Sequence, residues 1–556
     1  MSKASANAAH RWDWLFAKAA VAMLVIGAVV ESRGYSPSAS RQPGRLVAGA
    51  LGGLERVGLS GSIATSPAVQ IYAARGEYEA FQIAVDARNG PIESVNVVFS
   101  GLRSANDFIG QSNLTVYREH YVRVDRSSPD IRGANRPQAP GLYPDALIPL
   151  NGAGRVSGRA RFAAAVLKLE AGSRAVYWVD VFVPREAQPG VYRGEVTVSS
   201  RSETALVPVV LVVWHHTLPL RPSLKSSFGI DRSRMGDGRM AGLLLTHRIM
   251  PFLINPQHSV DYRRRFGLNS TGLWFFGDAS VKDCTMNPAP SVQAVRDAMA
   301  SYPGDVDKYV YAADEIDLCP AIFPTLKQWA RNVHKAGAKM LVTVTPTQDL
   351  LDDGSGTGRS AVDIWVLLPK MYANARPFVR QVLNKGDEVW SYNCLVQDAY
   401  SPKWEIDFTP IDYRIQPGFL NQSLGITGLL YSKVDSWNDD PWTNTTSLEQ
   451  GGYTYPGEDM LAYPGADAGI DGPLPSMRLK WLREGVEDYE YVEMLKRAGR
   501  SDWALNAVRT VASDWSSWTR SPAALENLRR RLGEELDRLE AGKASNRSGT
   551  AGRTIN

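Results

Sequence analysis

A change of pattern near residue 226 limits what this chain can fold into more than any other feature. From about residue 64 to 219, short alternating or β-branched runs follow one another at 80–85, 95–100, 117–124, 175–183, 191–198 and 207–214. Pro and Gly punctuate the gaps and no helical periodicity intervenes, which predicts an antiparallel β-sandwich over residues 64–220. Beyond residue 226 the pattern becomes strands alternating with helices. Candidate strands are 227–231, 250–255, 272–276, 308–313, 339–344, 361–368, 387–392 and 428–433, with helical patterns such as 292–299, 323–334 and 375–384 between them. That alternation predicts a closed parallel barrel of (β/α)8 type. Amphipathic segments at 475–497 and 522–540 predict C-terminal helices, so the barrel domain extends over residues 221–541. The expected fold class is α/β plus all-β.

The ends of the chain read differently. Lys3, His10 and Arg11 precede an apolar run at 19–30, so residues 1–30 are expected to be a signal peptide or membrane anchor. The body of the protein is then expected outside the cytoplasm, periplasmic or secreted, with anchoring at the inner membrane as a variant. Residues 31–63, rich in Ser, Gly, Arg and Pro, read as a linker, and 542–556 as a disordered tail. A formal charge of +4 over 556 residues, with no Lys/Arg run, argues against nucleic acid as a partner. Cys284, Cys319 and Cys394 match no zinc or iron–sulfur spacing; one bridge could form, and the pair is left open. His215 and His216 end the last strand of the expected sandwich, just before Pro219, and read as a domain-boundary loop without further ligands. Neither a metal nor a cofactor is expected.

In a parallel barrel the strand C-terminal ends and the loops after them carry function. Those ends offer Asp231 and Asn255 on the first two candidate strands and Asp314-Glu315 after the fourth. Further candidates are Trp365 and Tyr372 on and after the sixth strand, Trp390, Tyr392 and Asn393 on the seventh, and Asp435 and Trp437 after the eighth. Acids, amides and aromatics converging on one mouth suit a sugar, because flat rings stack on its faces and polar atoms grip its hydroxyls. Trp365 and Trp437 read equally as sugar platforms or core; Tyr392 is a candidate donor to a substrate acetamido carbonyl. Two adjacent carboxylates repel, which raises one pKa and keeps that group protonated near neutrality. A glycosidase needs such an acid to protonate the leaving oxygen. Spacing alone would leave the pair a solvated loop; its place at a strand end singles it out.

Three motifs extend the reading. They are Arg75-Gly76-Glu77-Tyr78-Glu79-Ala80-Phe81-Gln82, then Tyr311 to Glu315, and Tyr463-Pro464-Gly465 followed by Pro475-Ser476-Met477-Arg478 and Leu482 to Tyr491 (LREGVEDYEY). With them the sequence resembles glycoside hydrolase family 123 over roughly residues 64–500. The resemblance implies a sandwich followed by a barrel and retaining hydrolysis assisted by the substrate's own acetamido group. It implies Glu315 as acid/base, Asp314 as stabiliser of that group, and N-acetyl-β-galactosaminidase activity. Ile316 departs from the pattern, since relatives often have proline there. The Arg483-to-Tyr491 run reads as a structural ion-pair network closing the barrel edge.

The expected function is an exported hydrolase of β-linked N-acetylhexosamine in a polysaccharide, with N-acetylgalactosamine the preferred sugar. Two other readings stand beside it. One is a hydrolase of a glycan lacking the acetamido group, with Asp231 or Asp435 as nucleophile. The other is an exported polysaccharide-binding protein without catalysis.

Overall fold

The computed structural model describes residues 46–150 and 160–551. The expected signal or anchor at 1–30, the first part of the expected linker and the last residues of the tail lie outside the described residues.

Five strands form the first sheet, in the order Leu46–Gly52, Tyr78–Ala87, Arg174–Phe182, Leu114–Val124, Gly141–Pro149, all neighbours antiparallel. The second sheet runs Val69–Arg75, Thr204–Thr217, Gly190–Ser199, Ile92–Phe99, Val166–Leu169. Only its first pair is parallel. Alternate residues of both sheets meet in one apolar cluster: Phe81, Ile83, Val179 and Val181 from the first, Ile71, Val196, Val198 and Leu211 from the second. Period two sends alternate residues of each strand into this cluster, while the central strands Tyr78–Ala87 and Arg174–Phe182 are buried on both faces.

Two expectations are corrected here. Leu46–Gly52 is a strand paired with Tyr78–Ala87, not part of a linker. Its small residues, LVAGALG, resemble linker composition, but its register against a long strand buries Leu46 and Ala50. His215 and His216 lie within the strand Thr204–Thr217, not in a boundary loop. His216 is buried, its ring 5.4 Å from that of Trp214 and 5.4 Å from that of Tyr491. Burial drives its pKa down to about 3, so it is a neutral core group.

The second region is a nearly closed ring of seven parallel strands. In order they are Lys225–Phe228, Gly428–Tyr431, Glu388–Tyr392, Ile364–Leu367, Lys339–Thr343, Asp307–Ala313 and Ser270–Gly272. Backbone bonds through Met250 and Phe252 span the gap between the first and last: Phe228 N–H to Met250 (3.0 Å), Phe252 N–H to Phe228 (2.7 Å), Gly272 N–H to Phe252 (2.7 Å). The strand expected at 250–255 is thus reduced to a single bridge at Pro251. Proline has no N–H to donate, so a full ladder cannot form there. Helices cover most crossovers, but a 3-10 turn, Gln348–Leu351, is the only helical element between Lys339–Thr343 and Ile364–Leu367.

Inside the ring pack Tyr309, Leu341, Ile364, Val366, Trp390 and Leu430, with Tyr392 above them. A Cβ on Gly428 would stand 2.3 Å from the Trp390 ring, so only glycine lets that indole fill the interior. Residues of opposite parity, including Met340, Val342, Trp365 and Val389, join the outer core.

The charge-rich helix Met477–Arg497 is buried along most of its length. Ser476 caps it, accepting the N–H of Leu479 at 3.1 Å. Several of its charges are paired, on both sides. Arg478 grips Asp145 (2.9 Å), while Lys480 (2.6 Å) and Arg483 (3.0 Å) grip Asp180, both acids being in the first sheet. On the ring side Arg414 meets Glu484 (2.9 Å) and Asp488 (2.8 Å). The run expected to close the barrel edge therefore also ties the first sheet to the ring. The last helix, Pro522–Ala551, continues into residues expected to be disordered and sends Arg529 to Glu77 (2.7 Å) and Glu79 (2.6 Å).

Candidate active site

At the C-terminal edge of the ring, the strand Asp307–Ala313 hands over directly to Asp314 and Glu315. Successive strand residues face opposite ways, yet both of these side chains are exposed. The cause is local: Glu315 adopts φ 48°, ψ 44°, in the left-handed region that a non-glycine residue enters at a cost. Next in sequence, Ile316 is fully buried and anchors the turn from below. The position where the family often has proline is here an apolar peg.

Each carboxyl has its own electrostatic setting. The Tyr311 hydroxyl donates to Asp314 Oδ1 at 2.7 Å and lies 2.6 Å from Thr343 Oγ1. Burial, then the Asp314 charge, pushes the Tyr311 pKa well up, so this phenol stays a donor. Glu315 has its pKa raised by partial burial first, then by Asp314 and Asp317, with Lys370 opposing. Asp317 is held near by accepting the N–H of Thr345 at 3.0 Å. Tyr392 projects into the ring mouth, its pKa raised by burial, by Cys394 and by the charges of Asp314 and Glu315. Asp314, Glu315, Tyr311, Tyr392 and Lys370 are thus one electrostatic unit.

The other candidates divide. Trp365 is fully buried in the outer core, its indole N–H 3.3 Å from Asp387. Trp390 is fully buried lower in the ring, bound to Glu388 at 3.1 Å. Tyr372 is buried, donating to the Leu424 carbonyl at 3.1 Å. Asn393 is buried between the Pro402 carbonyl (3.1 Å) and Gln416 (2.8 Å). Asp435 is fully buried, holding Arg234 at 2.7 Å and the Asp231 N–H at 2.9 Å. These five are structural in this fold, correcting their assignment to the substrate. Parity decides for Trp365, because its odd–even position on Ile364–Leu367 faces the helices.

Asp231 turns back onto the Ser233 N–H (3.0 Å) and hydroxyl (2.6 Å), which lower its pKa. Asn255 caps the helix Pro256–Phe266 through the Gln257 N–H. Trp437 is half-buried, bonded to the Ala462 carbonyl at 2.8 Å with the Arg234 guanidinium 4.4 Å over its ring. Tyr392 alone of the aromatic candidates is linked electrostatically to the pair. Thr343, Asp317 and Cys394 were not among the expected residues. Thr343 could have been found as the last residue of its strand; Asp317 and Cys394 carry no signal beyond following a candidate. A cavity of about 440 Å³ lies elsewhere, lined by Tyr72, Glu79, Glu526 and Arg529 among others. Among the described residues no cluster of three or more His, Cys, Asp or Glu could hold a metal ion, and no helix is long and apolar enough to cross a membrane.

Adjacent carboxylates with unlike environments, one with a raised pKa and one held by a phenol, at the open end of a parallel ring are an arrangement that glycosidase chemistry can use. Comparison with known proteins makes this specific. A model of the glycoside hydrolase 123 N-terminal domain matches residues 63–200, and one of the glycoside hydrolase 123 catalytic domain matches residues 320–495, starting just past the pair. The chain belongs to glycoside hydrolase family 123. Among solved structures, a family 123 glycoside hydrolase from Clostridium perfringens, analysed for glycolipid glycan hydrolysis, is similar with a TM-score of 0.61 at 12% identity. That match covers 91% of this chain and 100% of the other. At that identity the likeness speaks for the fold. A β-glucuronidase from Parabacteroides merdae (TM-score 0.27, 10% identity, 75% of this chain and 49% of that one) is too remote to carry an argument. The same holds for a GH10 xylanase with a bacterial Ig-like domain from termite gut (TM-score 0.27, 11% identity, 56% of this chain and 90% of that one). No curated protein matches the sequence.

Proposed function

We propose that this protein is an exported hydrolase of β-linked N-acetylhexosamine, with N-acetylgalactosamine the preferred sugar, acting by a retaining mechanism assisted by the substrate. The two sheets are read as a β-sandwich and the ring as a variant (β/α)8 barrel whose second strand has shrunk to one bridge. The observation that carries the functional reading is the division of labour between neighbours: Glu315 has a raised pKa and an exposed carboxyl, while Tyr311 donates to Asp314.

Glu315 enters protonated and delivers its proton to the leaving glycosidic oxygen. The substrate's acetamido oxygen attacks the anomeric carbon as that bond breaks, and Asp314 accepts the acetamido N–H. With Tyr311 on one oxygen, Asp314 keeps the other for this task. Glu315, now a carboxylate, takes a proton from the water that opens the cyclic intermediate, leaving the sugar with its β configuration. A separate enzyme nucleophile is disfavoured, because Asp435 is buried against Arg234 and Asp231 is turned onto Ser233. The C. perfringens relative acts on glycolipid glycans, which supports a glycan substrate here as well. Export rests on residues 1–30 alone.

Fluorogenic β-N-acetylgalactosaminide, β-N-acetylglucosaminide, β-galactoside and β-glucoside test the reading. Turnover confined to the acetamido sugars, blocked by a thiazoline analogue, is expected. Equal turnover of the plain glycosides would place the nucleophile on the enzyme and end this proposal.

A further inference from the structure

Next to the pair, the chain after the ring strand Ser270–Gly272 continues irregularly alongside Asp307–Ala313. Leu273 N–H binds the Tyr309 carbonyl at 2.8 Å and Gly277 N–H binds the Ala312 carbonyl at 3.0 Å. Between these two anchors stand Trp274 and Phe276. A chain of aromatic contacts leads from the catalytic acids to them: Tyr311, which holds Asp314, lies 5.7 Å from Phe252 edge-on. Phe252 lies 6.1 Å from Phe276, and Phe276 lies 6.4 Å from Trp274. Trp274 is 48% exposed and is the most exposed tryptophan among the described residues. Indoles are usually covered, since an exposed one leaves a large apolar face in water. Here the exposed face sits on the rim of the mouth, at the outer end of a packed aromatic ridge.

The loop that carries this ridge is held rigidly against the catalytic turn. A disulfide joins Cys284 to Cys319, three residues beyond Ile316, and the Val281 carbonyl lies 3.1 Å from the Cys319 sulfur. A Cβ on Gly277 would stand 2.3 Å from the Ala312 carbonyl oxygen, so the loop backbone touches the strand that presents the acids. Asn287 N–H binds the Gly277 carbonyl (2.7 Å), its side chain binds Asp278 (2.8 Å), and Trp329 N–H binds the Asn287 carbonyl (2.8 Å). The Arg232 guanidinium lies 5.5 Å over the Phe276 ring and steadies it from the other side. A half-exposed indole on a stapled, hydrogen-bonded loop is pre-organised to bind, because few degrees of freedom remain to be lost.

We infer that Trp274, backed by Phe276, is the platform for a second sugar ring, the one bearing the leaving oxygen. The inference rests on the glycosidase reading of the pair. A pyranose presents one face of axial C–H groups to an indole, and the ridge offers that surface beside the mouth at which Asp314 and Glu315 stand exposed. The disulfide keeps the platform in register with Glu315, the group that must reach the oxygen between the two sugars. The substrate class is then an oligosaccharide with a sugar, not an alcohol or lipid, directly beyond the scissile bond.

Two substrates separate the possibilities: an aryl β-N-acetylgalactosaminide with one sugar, and a β-linked trisaccharide of N-acetylgalactosamine. In the full chain, Trp274→Ala is expected to lower kcat/KM on the trisaccharide by at least tenfold more than on the aryl glycoside, and Trp274→Tyr to restore most of it. Stacking of one ring is worth this much. In parallel, calorimetry measures trisaccharide binding to Glu315→Gln with and without Trp274→Ala; a tenfold weaker Kd is expected. Equal losses on both substrates, with unchanged Kd, would overturn the platform and leave the hydrolase reading intact. No turnover by the parent protein, but binding of the trisaccharide that depends on Trp274, would overturn the hydrolase reading and keep the platform. Neither turnover nor binding would overturn both.

Discussion

Asp314 and Glu315 stand exposed at the ring mouth, whereas Glu484, Glu487 and Asp488 lie buried in the helix Met477–Arg497. Both groups are acidic clusters within motifs that the family resemblance picks out. The buried acids meet guanidinium groups: Arg414 binds Glu484 and Asp488, and Arg529 reaches Asp488 at 3.5 Å. Burial still outweighs the nearby cations, raising the pKa of Asp488 and pushing Glu484 up to about 7 and Glu487 up to about 8, and all three lie buried, with no face open to a ligand. Glu315 shares the raised pKa but not the enclosure, since its side chain is open to solvent. The lesson is that composition does not separate an active acid from a structural one. What separates them is whether a free surface faces the carboxyl.

The sharpest way to break this comparison is Glu315→Gln. It is expected to cost roughly 10²–10⁴-fold in kcat on the acetamido glycoside while leaving the melting temperature nearly unchanged; normal turnover would make the mouth acids as structural as the helix acids. On the other side, Asp180→Ala strands Lys480 and Arg483 without their partner in the first sheet. A loss of about 3–5 kcal/mol in denaturant unfolding is expected, and a loss below about 1 kcal/mol would deny that helix its role as the tie between regions. The pH dependence of the same variant has a definite sign. Burial raises the Asp180 pKa, but Arg483 and Lys480 outweigh it and hold the carboxyl below its ordinary range. Asp180 therefore stabilises the parent above the unfolded-state carboxylate pKa, and that stability is lost as pH falls through the lower folded-state value. The variant should lack this acid-dependent term.

Smaller effects sharpen the picture at the mouth. Tyr311→Phe removes the hydroxyl that pins Asp314, and a loss of about tenfold in kcat/KM is expected, the worth of one hydrogen bond to a charged group. An unchanged rate would show that Asp314 needs no partner. The pH–rate profile gives the finest test. The proposed mechanism requires protonated Glu315, so the rate should fall as pH rises through its raised pKa. Asp317→Asn removes a like charge and should move that fall to lower pH, while Lys370→Met removes a cation and should move it to higher pH. Shifts of the same sign would mean that another group controls the profile.

Much of the fold was legible because periodicity is a local property. The apolar and β-branched runs at 80–85 and 175–183 read as strands, and both prove buried on their two faces; the strand–helix alternation after residue 226 corresponds closely to the strands at Asp307–Ala313, Lys339–Thr343 and Glu388–Tyr392. Leu46–Gly52 was hidden because its Gly and Ala residues carry no alternation; pairing with Tyr78–Ala87 makes it a strand. Within the mouth, Asp314 and Glu315 were visible as a pair at a strand end. Five other candidates were drawn into the core, since a strand end specifies neither which way a side chain points nor what covers it. Trp365 and Tyr392 show the difference: both are aromatics on neighbouring strands, yet one faces the outer helices and the other the mouth.

Sequence by itself determined the order of elements, the division near residue 226, a helix over about 475–497 and the identity of the adjacent acids. Each follows from residue types and spacings within one segment. Tertiary structure alone decided that Cys284 pairs with Cys319 and that Asp145 and Asp180 receive the charges of a helix some 300 residues away. It alone turned Glu315 outward and left Trp274 uncovered beside it. Burial, charge compensation and side-chain direction depend on what arrives from distant parts of the chain, and no local pattern encodes that arrival.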